Sequence, residues 1–155
     1  MKLSTGSFCL PNKKAIRGLV LLIGFLSSAN PSFGAVAQDV STTTKLGDQN
    51  ITITLESLDP ACKSAGPIQV NKTFCFRVLA KGANDAWLKD FQLLKFDALM
   101  PGHHHGMITR PKLRAIKSGE YLIEGVKLHM PGEWTINLNL QHGKAQAQVA
   151  IPLKL

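Results

Sequence analysis

The chain has 155 residues, with 18 Lys and Arg against 10 Asp and Glu, for a formal net charge of +8 at pH 7. Residues 38–155, the stretch left after the N-terminal segment read below as a leader, suffice for one compact domain and little more. The basic residues form no Lys/Arg run and no stripe interleaved with aromatics, so nucleic-acid binding has little support.

Lys2, Lys13, Lys14 and Arg17 precede every acidic residue, and an apolar run from Gly18 to Leu26 follows them. Small and polar residues come next, Ser27, Ser28, Ala29, Asn30 and Pro31. This order is that of a secretory signal peptide. Ala35-Val36-Ala37 fits the small-x-small cleavage pattern, which predicts a leader over 1–37 and a mature domain over 38–155. A spanning helix needs about 20 apolar residues, roughly twice this run, so cleavage is favoured over a retained anchor. Cys9 lies ahead of the apolar run, where a lipoprotein cysteine cannot be. The expected localisation is periplasmic or secreted. All ten acidic residues are in the mature part and four basic ones are in the leader. The mature stretch thus carries 14 basic residues against 10 acidic, a mild +4.

The first clear strand is Asn50 to Glu56, with Ile51, Ile53 and Leu55 on one face. Strict alternation is the mark of a half-buried strand. A loop from Asp59 to Pro67 holds Cys62, and the next strand, Ile68 to Leu79, holds Cys75 and turns Phe74, Phe76 and Val78 to one side. In an exported chain an even cysteine pair reads as a disulfide. Cys62–Cys75 would close a loop of about 14 residues, worth about 3 kcal/mol in the chain-entropy model. The rival, a thiolate metal site, lacks a Cys-x-x-Cys, and neither cysteine neighbours a histidine.

Lys81 to Asp85 is a turn cluster. The stretch Trp87 to Leu99 is ambiguous. Trp87, Phe91 and Leu94 share a helical face, whereas Gln92 to Phe96 alternates only weakly as a strand. Further on, Tyr121 to Val126 follows the turn Lys117-Ser118-Gly119. Trp134 to Leu140 alternates best, with Trp134, Ile136, Leu138 and Leu140 facing one way. Gln141 to Lys144 forms a hairpin turn, and Ala145 to Ile151 alternates again with Gln146 and Gln148 outward. About seven short strands in just over 100 residues predict an all-β fold, a two-sheet antiparallel β-sandwich.

The chemistry concentrates in two segments. The mature chain has five histidines and three methionines. Four of those histidines and all three methionines lie in Met100-Pro-Gly-His103-His104-His105-Gly-Met107 and His129-Met130-Pro-Gly. Imidazole nitrogen with thioether sulfur suits copper, and thioether favours Cu(I), a soft ion. Zinc competes for the histidines, but prefers carboxylate or thiolate over thioether. In an extended stretch His103 and His105 point to the same side, and Gly102 and Gly106 allow a tight backbone turn around them. His104 is the weakest ligand of the triplet, and His142, in a hairpin turn, reads as solvated. Against this stands core filling by the methionines and a solvated histidine loop. No Gly-x-Ser-x-Gly, no His-Glu-x-x-His and no carboxylate pair occurs, so no catalytic residues and no enzyme are expected.

Met100-Pro-x-His103-x-His105-Gly-Met107, then Pro111, Gly119-x-Tyr121 and Met130-Pro-Gly-x-Trp134, resembles the YtkA-like family, related to FixH-like domains. The resemblance covers about 85–140. It implies an exported or membrane-anchored, immunoglobulin-like β-sandwich, and it implies a strand over 91–98 rather than a helix. The family's context implies copper as the cofactor and a copper-accepting or assembly protein as the partner. Met100, His103, His105 and Met107 match the first motif; Met130 and Trp134 match the second. His104 departs from the pattern, and His129 is not clearly part of it.

The expected function is therefore copper handling or delivery outside the cytoplasm, without a membrane anchor once the leader is cleaved. Met107, with Met100 or Met130, supplies soft ligands, His103 and His105 supply imidazoles, and His129 completes the set. Trp134 is expected beneath the site as an apolar wall. The alternative is a metal-free interaction or scaffolding module that meets a protein through an exposed sheet edge. Two features separate them: whether both segments lie at one end of the sandwich, and whether the methionines turn to the core or to the histidines.

Overall fold

The computed structural model describes residues 38–155, and the expected leader over 1–37 lies outside them. The described residues form nine strands: β1 Asp39–Leu46, β2 Gln49–Leu58, β3 Thr73–Lys81, β4 Phe91–Met100, β5 His105–Gly106, β6 Lys112–Lys117, β7 Glu120–Lys127, β8 Glu133–His142 and β9 Ala145–Lys154. One sheet has the order β1-β2-β3-β7-β6 and the other β5-β4-β8-β9, with antiparallel pairing throughout. The expected two-sheet antiparallel sandwich is the fold. Among the described residues no helix is long and apolar enough to cross a membrane.

The strands with clean alternation pack as their patterns require. In β8 Trp134, Ile136, Leu138 and Leu140 are buried, while Thr135, Asn137 and Asn139 alternate with them on the other face. In β2 Ile51, Ile53 and Leu55 turn inward, against Phe74, Phe76 and Val78 of β3. Strand β3 starts at Thr73, five residues later than expected, because Asn71 turns the chain at a positive φ of 63°. Its backbone N–H donates to the Leu128 carbonyl at 2.7 Å instead of joining a ladder.

The ambiguous stretch is a strand, β4, and its weak alternation has a physical cause. The β4–β8 register shifts between Leu93 and Lys95. Leu94 and Lys95 are both exposed, and burial resumes in the opposite phase at Phe96. A bulge inserts one residue and flips every later side chain to the other face. The period is 2 on either side of the bulge and broken across it.

The strand count exceeds the expected seven or so at the sheet edges. Strand β1 turns Val40, Thr42, Thr44 and Leu46 inward, so threonine stands where apolar residues would betray a strand. Strand β6 is mostly exposed and carries Lys112, Arg114 and Lys117. Charges of this kind guard an edge against pairing with another chain.

Cys62 and Cys75 form a disulfide, with Cα atoms 5.4 Å apart. It fastens the loop after β2 to β3, on the far side of that sheet from the main core. There Cys75 packs with Leu58 and Leu122, and with the half-buried Cys62.

One end of the sandwich collects both His/Met segments. Strand β4 ends at Met100, β8 begins at Glu133, and Leu99 pairs with Thr135 across them. The two Met-Pro-Gly echoes do not share a backbone. Pro101 opens a 3-10 turn, Pro101–His103, whereas Gly132 adopts a φ of +124° and pairs with Leu155 through two backbone hydrogen bonds. A Cβ on Gly132 would sit 2.6 Å from the Met100 Cε, so the second echo makes room for the first methionine. Gly132→Ala is expected to lower unfolding free energy by about 1–3 kcal/mol, read as a lower denaturation midpoint with an unchanged m-value.

Candidate metal centre

The chain reaches the site by a tight turn rather than an extended stretch. After Met100 comes the 3-10 turn, then His104 in the left-handed region (φ 54°), then His105 in the two-residue strand β5. The turn expected at Gly102 and Gly106 is made by His104: neither glycine has a positive φ. Gly106 serves close approach instead, since a Cβ there would lie 3.1 Å from the Ala98 carbonyl oxygen and from the Leu99 Cδ2. The turn sets the His103 and His105 rings 5.7 Å apart, centroid to centroid.

The second segment meets the first. His129, in the loop between β7 and β8, brings its ring 5.1 Å from that of His105. Trp134 lies against both, 6.2 Å from His105 and 5.6 Å from His129, with its ring steeply inclined to each. It is 1 % exposed. Its Nε1–H donates to the Met130 carbonyl at 3.0 Å, which locks the indole and ties the second segment to β8. Trp134 thus packs against both imidazole rings.

The imidazole spacing can be compared with ligation. A nitrogen about 2.0–2.1 Å from an ion puts the ring centroid about 3 Å away. Two rings on one ion at angles of about 90–120° then have centroids about 4.5–5.5 Å apart. The His105–His129 pair falls in that range, and His103 lies just outside it.

His129 Nδ1 is buried and has no hydrogen-bond partner. An unsatisfied buried polar atom costs about 1–3 kcal/mol. Gln38 Oε1 and Thr109 Oγ1 share that condition, but of the three only the imidazole nitrogen is a good ligand for a late transition metal. His105 Nδ1 makes a long contact, 3.4 Å, with the Gly106 carbonyl oxygen. A ligating histidine commonly donates its other N–H to a backbone carbonyl, which leaves Nε2 for the ion.

The methionines are less uniform. Met100 is 3 % exposed and part of the core, reaching Gly132 at its tip. It also lines both surface clefts beside the histidines: one of about 510 Å³ with His103, and one of about 560 Å³ with His104 and His105. Met107 and Met130 are half-buried at the core margin. Among the described residues no three His, Cys, Asp or Glu side chains gather closely enough to hold an ion by themselves.

His142 closes β8 beside Phe91. Nine residues of strand put it roughly 30 Å from Glu133, outside the site as expected. His129 is more central than its motif position implied. The signal for it was its place immediately before Met130. Comparison of the chain with protein-family models, with curated proteins and with solved structures finds no match.

Proposed function

We propose that this exported domain binds one copper ion at the end of its sandwich, for copper handling or delivery outside the cytoplasm. His105 and His129 are the imidazole core of the site, His103 stands beside them on an exposed turn, and Met107 or Met130 supplies the thioether. The observation that carries this reading is the orphaned, buried Nδ1 of His129 in a ring 5.1 Å from His105. A nitrogen kept from water and from the protein has a lone pair or a proton to share, and a neighbouring imidazole makes a bound ion a fitting partner. Thioether in the set favours Cu(I) over zinc. Trp134 keeps water from one side, which strengthens the interaction of the ion with its ligands. For Met100 the packing favours a structural role.

Indole emission gives the test. The chain has two tryptophans, and Trp87 is bridged to Lys81 at the opposite end of β3 from the site. In a Trp87→Phe background, Cu(II) is expected to quench Trp134 emission with a one-to-one endpoint. His142→Ala should leave the curve unchanged, and His129→Ala should abolish it. Quenching that follows His142 instead, or that rises without an endpoint, would sink the assignment.

A further inference from the structure

The four histidines at this end are not equally reachable. His103 and His104 are exposed on the turn after β4, whereas His105 and His129 are half-buried. The His129 Nδ1 is closed to water, and the buried Trp134 packs against both inner rings. An ion in solution arrives with its own ligands, and stripping all of them before it meets a protein donor is costly. It therefore needs a first donor that is exposed and also within reach of the inner pair. His103 meets both conditions. Its ring lies 5.7 Å from that of His105, which in turn lies 5.1 Å from that of His129. His104 meets the first alone: among the described residues its ring pairs with none of the other three. Among the described residues His103 is also the one imidazole lining the cleft of about 510 Å³. Glu133 and Lys154 line that cleft too and face each other in the β8–β9 register, one charge of each sign.

The turn that carries His103 is loosely held. The 3-10 turn Pro101–His103 buries none of its residues, and a Cβ on Gly102 would meet nothing within 4 Å. Segments with few buried contacts move at low free-energy cost. The His103–His105 spacing exceeds the span of two rings on one ion by only a few tenths of an ångström, a distance such a turn covers. We infer that His103 is the entry ligand of the copper site. It takes the ion from the cleft, shares it with His105 as the turn swings inward, and releases it to the His105–His129 pair. The inference rests on the copper reading. In each step one metal–nitrogen bond forms before another breaks. The ion keeps its oxidation state, and the ligands it brought leave through the cleft. A group that eases entry eases exit by the same factor, so His103 sets the rates of loading and unloading rather than the affinity.

The test follows Trp134 emission by stopped flow, in protein expressed from the full chain with Trp87→Phe. Mixing with the Cu(II) bis-glycinate complex measures loading, and mixing the loaded protein with excess EDTA measures unloading. His103→Ala, at an exposed position, is expected to slow both by roughly tenfold and to leave the Kd within about twofold. His104→Ala should change neither rate. Weaker affinity with unchanged loading would make His103 a resident ligand and overturn the inference. Slower loading with unchanged unloading would reduce its part to attraction of the ion, and also overturns it. So does equal kinetics in the parent and His103→Ala, or a slowing of the same size in His104→Ala, either of which means another way in. The parent separates the two claims. If its emission does not respond to copper, the copper site falls and the entry ligand with it; if it responds and His129→Ala abolishes the response, a failure of the His103 prediction removes the entry ligand alone.

Discussion

Trp134→Ala is expected to lower unfolding free energy by about 3–5 kcal/mol, the range for a buried aromatic cut to alanine. The side chain is among the largest fully buried ones, at the start of β8 and in the main core. Its removal leaves a cavity at the join of β4, β8 and the loop of His129. It also removes the Nε1–H donor to the Met130 carbonyl, worth about 1 kcal/mol. Since small domains are stable by only about 5–15 kcal/mol, this variant should lie near its unfolding threshold. Trp134→Phe keeps an apolar ring and loses the hydrogen bond, so it should cost much less. Chemical denaturation of both variants checks the order. A Trp134→Ala variant within 1 kcal/mol of the parent would mean that the indole is not part of the packing at this end.

The second large effect is on copper. His105→Ala combined with His129→Ala should lower affinity by at least roughly a thousandfold, about 4 kcal/mol. Loss of a group that only orients a ligand already costs about 10–100-fold, and this variant removes two donors. Both side chains are half-buried rather than core, so the fold should survive, and its denaturation midpoint is the control. Met100→Leu replaces a thioether by an apolar group of similar volume, a swap that usually costs under about 1.5 kcal/mol. Because Met100 packs in the core, it should leave copper affinity nearly unchanged, whereas Met107→Leu with Met130→Leu should reduce Cu(I) affinity more than Cu(II) affinity.

The fold was legible where one face of a strand is apolar. Strands β2, β8 and β9 announce themselves through Ile51-Ile53-Leu55, Trp134-Ile136-Leu138-Leu140 and Val149-Ile151. Strand β4 was not legible from period alone, because the bulge at Leu94 and Lys95 changes the phase of the pattern. A resemblance supplied the strand there, and the bulge explains why it was needed. Strands β1 and β6 were silent because edges carry threonine and charge where central strands carry valine and isoleucine. At the site, His/Met clustering picked out the two segments but not their meeting. The meeting depends on the adjacency of β4 and β8 in one sheet, which local pattern does not encode. Backbone angles were the least legible: the left-handed residue is His104, between two glycines that had seemed made for the turn.

The most direct measurement is a Cu(I) titration of the purified protein under reducing conditions against a competing chelator. One-to-one binding with a sub-nanomolar Kd, about −12 kcal/mol or stronger, that collapses in the His105→Ala, His129→Ala variant is the expected result. Binding weaker than micromolar, or a curve that the double variant leaves unchanged, would contradict a copper site here, and the two Met-Pro-Gly segments would then be corners of a scaffold.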